Sequence, residues 1–235
     1  MAYNYDNFDA KQYDLATFRG PQIGSKAPDF EVLRADGSPT RLLDFDGDFL
    51  VLEMGSLTCP LFQGRRPAMA DLDRAQPDVT FAVLYIREAH PGASIGAHPD
   101  LETKQSHARD LADSEGRLVL VDHLDGQVHE AYGAYPNSIF IINRHGCVVW
   151  FTDWNNNKAT AKALAQLKAG KPANVRAYFK PVAPSVSLRV LGAGGRGSLA
   201  DFLRSFPRLV WNNLIRRNLR LLFGRAQRVM PDTRC

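Results

Sequence analysis

One sequence pattern constrains the fold of this chain most. A predicted buried strand leads directly into a cysteine at the start of a predicted helix. Residues 49–54 (FLVLEM) are apolar except for Glu53, as expected of a central strand covered on both faces. The turn GSLTCP follows at residues 55–60, and residues 60–76 place apolar side chains at helical spacing. The sequence therefore predicts that Cys59 lies at the first turn of a helix that contains Pro67.

The same alternation continues along the chain. An Asp-Gly pair at 36–37 predicts a hairpin. Further patterns predict strands over 79–86, 117–122, 139–143 and 147–151, and helices over 101–114, 127–132 and 158–169. Residues 27–170 are therefore predicted to form an α/β domain, with a central mixed sheet between helices in a three-layer arrangement.

The flanking segments differ from this domain in composition and charge. Residues 1–26 are interpreted as a polar N-terminal arm, 171–198 as a linker rich in Pro and Gly, and 199–235 as a basic amphipathic helical tail. Residues 171–235 hold 13 Lys and Arg against two acidic residues, a net charge of +11, and since the whole chain carries +4, residues 1–170 carry −7. The tail is expected to lie on an anionic membrane surface, or to pack on the acidic domain or on a second copy of the chain. Nucleic acid is a less favoured partner, because the tail contains no nucleic-acid-binding motif.

Cysteine usage and hydropathy indicate where the protein works. The three cysteines, Cys59, Cys147 and Cys235, are too few and too widely spaced for a disulfide framework. The N-terminus has no apolar signal segment and no run approaches the roughly 18–20 apolar residues of a spanning helix. We therefore expect a cytoplasmic protein with mostly reduced thiols, peripheral to a membrane at most. Cys147 is predicted to be inert core, and Cys235, on a mobile tail, to be either a bystander or a resolving thiol for Cys59.

The position of Cys59 suits a nucleophilic thiol. Free amides and the helix dipole at a helix N-terminus stabilise a thiolate and lower its pKa, and Thr58 can add a hydrogen bond. The alternative is a structural cysteine buried in a capping turn. Phe62 stands three residues after Cys59, so the Cys-x-x-Cys pair of a dithiol enzyme is excluded.

Two sets of motifs resemble known families. Glu53 and Pro67 stand at the offsets from Cys59 that thioredoxins show for a buried carboxylate and a helix-kinking proline. GSLTCPLF (55–62), YIREAHP (85–91) and AYGAY (131–135) together resemble the iodothyronine deiodinases, in which selenocysteine takes the position of Cys59. The resemblance implies a thioredoxin-like fold and reductive removal of iodine from iodinated phenolic rings, with a thiol as electron donor.

The resemblance also implies roles for individual residues. Cys59 is the nucleophile, Glu88 and His90 lie at the substrate mouth, and His107 takes part in proton delivery. Three alternatives stay open: His90 as a solvated loop residue, His107 at the core edge, and Glu88 as a backbone-bonding turn residue. The supporting and substrate-binding positions are Thr58, Ser56, Tyr85 and Ser138.

Several positions depart from the family pattern. Leu57 replaces a frequent cysteine, Ser138 an arginine that grips the substrate, Arg87 an acidic residue and Glu53 an asparagine. We also expect the protein to lack the N-terminal membrane anchor of the animal enzymes. We therefore expect the scaffold and nucleophile to be kept and the specificity for thyroid hormone to be altered.

No metal and no bound cofactor are expected. The Asp-His-Leu-Asp run at 122–125 is interpreted as a strand-end turn, because companion ligands are missing. The sequence favours a thiol-dependent oxidoreductase in which Cys59 attacks a halogenated aromatic compound or a peroxide and an external thiol restores it. The alternative is a non-catalytic thioredoxin-like adaptor tethered by its tail, whose Cys59 would have a pKa near the free value of about 8.5.

Overall fold

The computed structural model describes residues 3–13, 17–224 and 227–235 and contains a seven-stranded mixed sheet. The strand order is β2-β1-β5-β4-β3-β6-β7. The strands are β1 (Glu31–Arg34), β2 (Pro39–Arg41), β3 (Phe49–Gly55), β4 (Thr80–Tyr85), β5 (Leu118–Val121), β6 (Ile139–Asn143) and β7 (Val148–Thr152).

The central strand β3 pairs in parallel with β4 and antiparallel with β6, and all of its residues are buried. A hairpin joins β1 to β2, and Gly37 in its turn has a φ of +91°, which glycine adopts without strain. The predicted mixed sheet, the hairpin and the doubly covered central strand are therefore confirmed. The helices of this domain are α1 (Pro60–Arg74), α2 (Leu101–Glu115), α3 (Gln127–Ala131) and α4 (Asn157–Lys168).

The sheet has an apolar core on each face. On one face Leu52 of β3 belongs to the same buried cluster as Val128 of α3. On the other, Val51 shares a cluster with Met69 of α1 and Leu164 of α4. Because successive side chains of a strand point to opposite faces, the apolar run of β3 supplies both cores.

A buried ion-pair network crosses the face that carries α1. Nη1 of Arg117 donates to Oε2 of Glu53 at 2.7 Å, and the same guanidinium pairs with Glu115. Nε of Arg66 donates to Glu115 at 2.6 Å. The side chains of Glu53, Arg117 and Glu115 are at most 1% exposed, so each charge depends on its partner for stability.

Residues after the domain are more helical than the sequence indicates. Helix α5 (Pro184–Gly194) lies within residues 171–198, which the sequence predicts to be a linker. It packs beside α1, where a Cβ on Gly64 would come within 3.1 Å of Val186 of α5 and 2.8 Å of Val182 just before it, so glycine permits the close approach. The predicted tail helix is present as α6 (Ser198–Leu209), a π-helical stretch (Val210–Arg217) and α7 (Asn218–Phe223).

The tail is fixed to the domain by buried polar contacts. Nε of Arg217 lies 2.8 Å from both carboxylate oxygens of Asp153, and Nη2 donates to the carbonyl of Ala177 at 3.0 Å. Asn218 accepts a hydrogen bond from N of Phe179 at 2.8 Å and donates one to its carbonyl at 3.1 Å. Packing on the acidic domain, one of the expected arrangements, is therefore found. No helix in the described residues is long and apolar enough to cross a bilayer.

Cys147 and Cys235 form a disulfide, with their Cα atoms 5.8 Å apart. Asn143 holds the returning chain by donating to the carbonyls of Pro231 and Thr233 at 2.9 and 2.8 Å. Cys147 is buried as predicted, but it is not inert. The predictions that Cys235 is a mobile bystander or resolves Cys59, and that the thiols are mostly reduced, are wrong for this structure. The sequence could not show this pairing because 88 residues separate the two cysteines.

We expect Cys235→Ser to lower the free energy of unfolding by about 2–4 kcal/mol, because the crosslink restricts the unfolded chain. Urea unfolding without reductant measures the change. Wild type treated with dithiothreitol should match the variant, and a wild type of unchanged stability under reduction would contradict the prediction.

Candidate active site

Cys59 is the residue immediately before helix α1, and Pro60 follows it at the first helical position. The backbone there is extended, with φ −89° and ψ 108°, so the free amides at the helix start lie next to the sulfur. The backbone amides of Leu61 and Phe62 lie close enough to the thiol to favour its ionised form, although Cys59 makes no side-chain capping hydrogen bond to the helix. Proline at this position removes an N–H that has no helical partner, so the turn costs the helix nothing.

The thiol is enclosed in this structure. Cys59 is 2% exposed and belongs to an apolar cluster with Phe62, Val83 and Ala108. Burial raises its pKa to about 11 and the charge of Glu53 adds to this, although the two amides and the charge of Arg65 act in the opposite direction. The expectation of a lowered pKa is therefore wrong for this closed form, because burial outweighs the donors that the helix start provides.

Because the raised pKa keeps Cys59 protonated at neutral pH, we expect its alkylation by iodoacetamide to be slow at pH 7. The rate should rise continuously up to a pH of about 11. The time course of labelling, read by mass spectrometry between pH 6 and 11, measures this. Cys59→Ser supplies the blank, and a rate that reaches its plateau below pH 8 would contradict the prediction.

Glu88 organises the turn that carries Cys59. Its Oε2 accepts hydrogen bonds from N and Oγ1 of Thr58 at 2.8 and 2.5 Å, and its Oε1 accepts one from N of Leu57 at 3.4 Å. The hydroxyl of Tyr85 also donates to Oε1. Glu88 thus binds backbone and side chains together, which places the predicted residues Thr58, Glu88 and Tyr85 in one cluster.

A histidine that sequence reasoning missed joins this cluster. Nε2 of His98 lies 3.0 Å from the hydroxyl of Tyr85 and 3.8 Å from Glu88, and its ring centroid is 5.4 Å from that of His107. Burial, with the charges of Lys104 and His107, lowers the pKa of His98 to about 3. His98 lies in a Gly- and Pro-rich loop without periodicity, so only its being a histidine near the predicted site could have marked it.

Glu88, His98 and His107 are also the residues of the site that could hold a metal. Their potential ligand atoms lie within 4.8 Å of one another, and two imidazoles with a carboxylate suit Zn²⁺. Both oxygens of Glu88 already accept hydrogen bonds, which a metal would have to displace.

His90 lies under a cover formed by both ends of the chain. Its ring contacts Phe8 of the arm, with centroids 4.2 Å apart, and Phe202 of α6, with centroids 5.4 Å apart. Its backbone N donates to Oγ1 of Thr58 at 3.0 Å, and its carbonyl accepts from Ser198 at 2.9 Å. Burial lowers its pKa to about 3, so the alternative of a solvated loop histidine is wrong.

Arg87 fixes the N-terminal arm over the site. Its guanidinium carbon lies 4.7, 4.8 and 5.2 Å from the ring centroids of Tyr3, Tyr5 and Tyr13, and Nη1 donates to the carbonyl of Tyr3 at 2.6 Å. Stacking of a guanidinium on several aromatic rings is a stabilising contact. Arg87, which replaces an acidic residue of the family pattern, thus holds the N-terminal arm in place.

The two predicted serines occupy different places. Ser56 is buried and its hydroxyl accepts a hydrogen bond from N of Ala89 at 3.2 Å, which links the Cys59 turn to the Glu88 loop. Ser138 is also buried, but its carbonyl accepts from N of Met54 at 2.9 Å, and its hydroxyl has no partner among the described residues. A cavity of about 400 Å³ lies elsewhere, between β7 and the tail helices, with Trp150 and Leu221 in its lining.

Solved structures with a similar fold cover most of the chain. An uncharacterized conserved protein from Geobacillus kaustophilus aligns with a TM-score of 0.55 at 19% identity, over 72% of this chain and 96% of its own. A hypothetical protein from Sinorhizobium meliloti aligns with a TM-score of 0.53 at 20% identity, over 70% of this chain and 92% of its own. With its parallel β3–β4–β5 core, the chain has the thioredoxin-like fold, as expected, and Cys59 lies between β3 and α1.

The family follows from the sequence match. The family model described as iodothyronine deiodinase matches residues 3–151, and the chain belongs to this family. Thyroxine 5-deiodinases from Rattus norvegicus and Homo sapiens are 35% and 34% identical over 142 residues, 54% of this chain and 47% of each relative. The chain thus spans about half the length of the curated relatives that it matches, and the tail lies outside the matched family region.

Proposed function

We propose that the protein is a thiol-dependent oxidoreductase in which Cys59 performs reductive dehalogenation of a halogenated aromatic compound or reduction of a peroxide. The observation that supports this proposal is the placement of Cys59 at the start of α1, next to Thr58, whose hydroxyl binds Glu88. The amides of Leu61 and Phe62 and the charge of Arg65 favour its thiolate. Among the described residues Cys59 is the one free cysteine. Burial is the main effect that opposes the thiolate, so any opening that lets water or a polar substrate reach the sulfur favours the reactive form.

The proposed chemistry balances with a thiol as the reductant. For a halogenated ring, the thiolate attacks the halogen, the carbon–halogen bond breaks, and the ring carbon takes a proton. An external thiol then attacks the sulfenyl halide and releases halide, and a second thiol frees Cys59 as a disulfide forms. For a peroxide, the thiolate attacks one oxygen, the O–O bond breaks, and the other oxygen takes a proton and leaves as an alcohol or water. One external thiol then condenses with the resulting sulfenic acid with loss of water, and a second frees Cys59 as a disulfide forms.

Proton delivery is assigned to the residues around Glu88. Tyr85, Glu88 and His98 form a hydrogen-bonded group that contacts Thr58, next to the nucleophile. Because burial lowers its pKa, His98 is neutral at pH 7 and retains one N–H that can be donated. His107, beside His98, connects this group to helix α2.

The test combines mass spectrometry with turnover. Graded peroxide followed by a sulfenate-specific label should modify Cys59, and iodide should be released from an iodinated phenol in the presence of dithiothreitol. A Cys147→Ser/Cys235→Ser variant is the control for reduction of the disulfide by the same reagent. Absence of both sulfenate and iodide would contradict the proposal.

A second candidate function is a non-catalytic adaptor, and the enclosure of Cys59 favours it. The pKa of Cys59 is raised above the free value expected for the adaptor, which makes the thiol less reactive still. The adaptor predicts a Cys59 that stays unmodified by peroxide and halogenated phenols alike. The same labelling experiment therefore distinguishes the two functions.

A further inference from the structure

The tail helices present their polar side to the domain, the reverse of an ordinary surface helix. Asp201, Ser205, Asn213 and Arg217 are buried, and they belong to a series that repeats every four residues. Ser205 accepts a hydrogen bond from N of Ala10 at 3.2 Å, and Arg217 pairs with Asp153. We call this line of buried polar residues the polar stripe. The polar stripe thus contacts the rest of the chain, and the opposite side of the tail faces outward.

The π-helical stretch keeps this stripe in line. In an α-helix each step of four residues advances by about 40° beyond a full turn, so the four steps from Asp201 to Arg217 would carry the stripe about 160°, nearly to the other side of the helix. A π-helix holds more residues in each turn and rotates the series back. Since Val210–Arg217 is π-helical, Asn213 and Arg217 reach the domain on the same side as Ser205.

The outward side is apolar. Trp211 is 59% exposed and Phe223 is 82% exposed, fractions that large apolar side chains on a globular surface seldom reach together. We call the set the apolar face; its members are Leu203, Phe206, Trp211, Leu214, Ile215, Leu219, Leu222 and Phe223.

Exposed cationic side chains lie among these apolar residues. Arg204, Arg208, Arg216 and Arg220 are all exposed. The one acidic residue in 198–224 is Asp201, which is buried. The outward side of the tail therefore combines apolar side chains with positive charge and presents no acidic side chain.

We propose that the apolar face docks on the surface of an anionic lipid bilayer. A helical surface of large apolar side chains with neighbouring arginines lies in the headgroup region, where the apolar residues enter the acyl boundary and the arginines meet lipid phosphates. A symmetric contact between two copies would bring the same arginines against each other, which disfavours a second copy as occupant. The contact is peripheral, since no helix of the described residues can span the bilayer.

The test uses the full chain and vesicle flotation. Wild type should float with vesicles of phosphatidylcholine and phosphatidylserine, float weakly with phosphatidylcholine alone, and dissociate as salt is raised. Trp211→Ser/Phe223→Ser should lower the partition coefficient by about 100-fold, because each large apolar side chain withdrawn from lipid loses roughly tenfold. Leu101→Ser, an exposed apolar residue on α2, is the matched control and should float like wild type.

A charge variant separates the two components of the contact. Arg208→Glu/Arg216→Glu should reduce binding to the anionic vesicles and leave the weak binding to phosphatidylcholine unchanged. Circular dichroism and thermal unfolding confirm that each variant is folded. Equal flotation of wild type and Trp211→Ser/Phe223→Ser would overturn the proposal. Absence of binding by wild type, with a dimer in light scattering that the same substitutions dissociate, would also overturn it and assign the face to a second copy.

Discussion

Cys59→Ala should lower thiol-dependent iodide release and peroxide consumption by about 100-fold or more, to the rate measured without protein. The reason is that the alanine side chain cannot form a bond to halogen or oxygen, and no group next to it can replace the sulfur. Rates are measured with dithiothreitol in excess, at several pH values, on protein shown to be folded by circular dichroism.

The matched control is Cys147→Ser/Cys235→Ser, which removes the other two sulfur atoms and keeps Cys59. It should retain the wild-type rate at a temperature where it is folded, because the disulfide lies at β7 and the chain end, away from the Glu88 cluster. Equal rates for wild type and Cys59→Ala would remove the enzymatic proposal and leave the family assignment and fold intact.

Glu53→Ala should lower the free energy of unfolding by about 3–5 kcal/mol, because it leaves a buried guanidinium without one of its two carboxylates. Glu53 also accepts hydrogen bonds from the side-chain amides of Asn137 at 3.0 Å and Asn155 at 2.5 Å, and these donors would lose their acceptor too. Urea unfolding at constant pH measures the loss.

The control is Asp71→Ala, which breaks a pair with Arg74 whose side chains are both 69% exposed. It should cost less than about 1 kcal/mol, because water screens an exposed pair. Similar losses for the two variants would show that burial does not set the energy of the Glu53 network.

The arrangement of strands and helices could be predicted from the sequence because it depends on local periodicity. The run 49–54 has the pattern of a doubly covered strand, and the structure places it at the centre of the sheet. Helix α5 escaped prediction because its Gly-rich end has the composition of a linker, and its stability depends on packing beside Gly64 and α1.

Most residues of the site could be predicted from the sequence, but their burial and protonation states could not. The motifs gave Thr58, Tyr85 and Glu88, which the structure joins by hydrogen bonds. The pKa of Cys59 and the neutral state of His90 follow from burial under distant segments, which no local pattern contains. The disulfide was missed for the same reason, since it depends on where the chain end returns.

The Cys147–Cys235 bond closes the last 89 residues into a covalent ring that includes the entire helical tail. A segment held at both ends cannot unroll from the domain while the bond is intact. On a bilayer the tail would therefore act as a rigid base, and the domain that carries Cys59 would keep a constant height and tilt relative to the lipid surface. Reduction of this one bond would leave the tail held by its noncovalent contacts alone, among them the pair of Arg217 with Asp153.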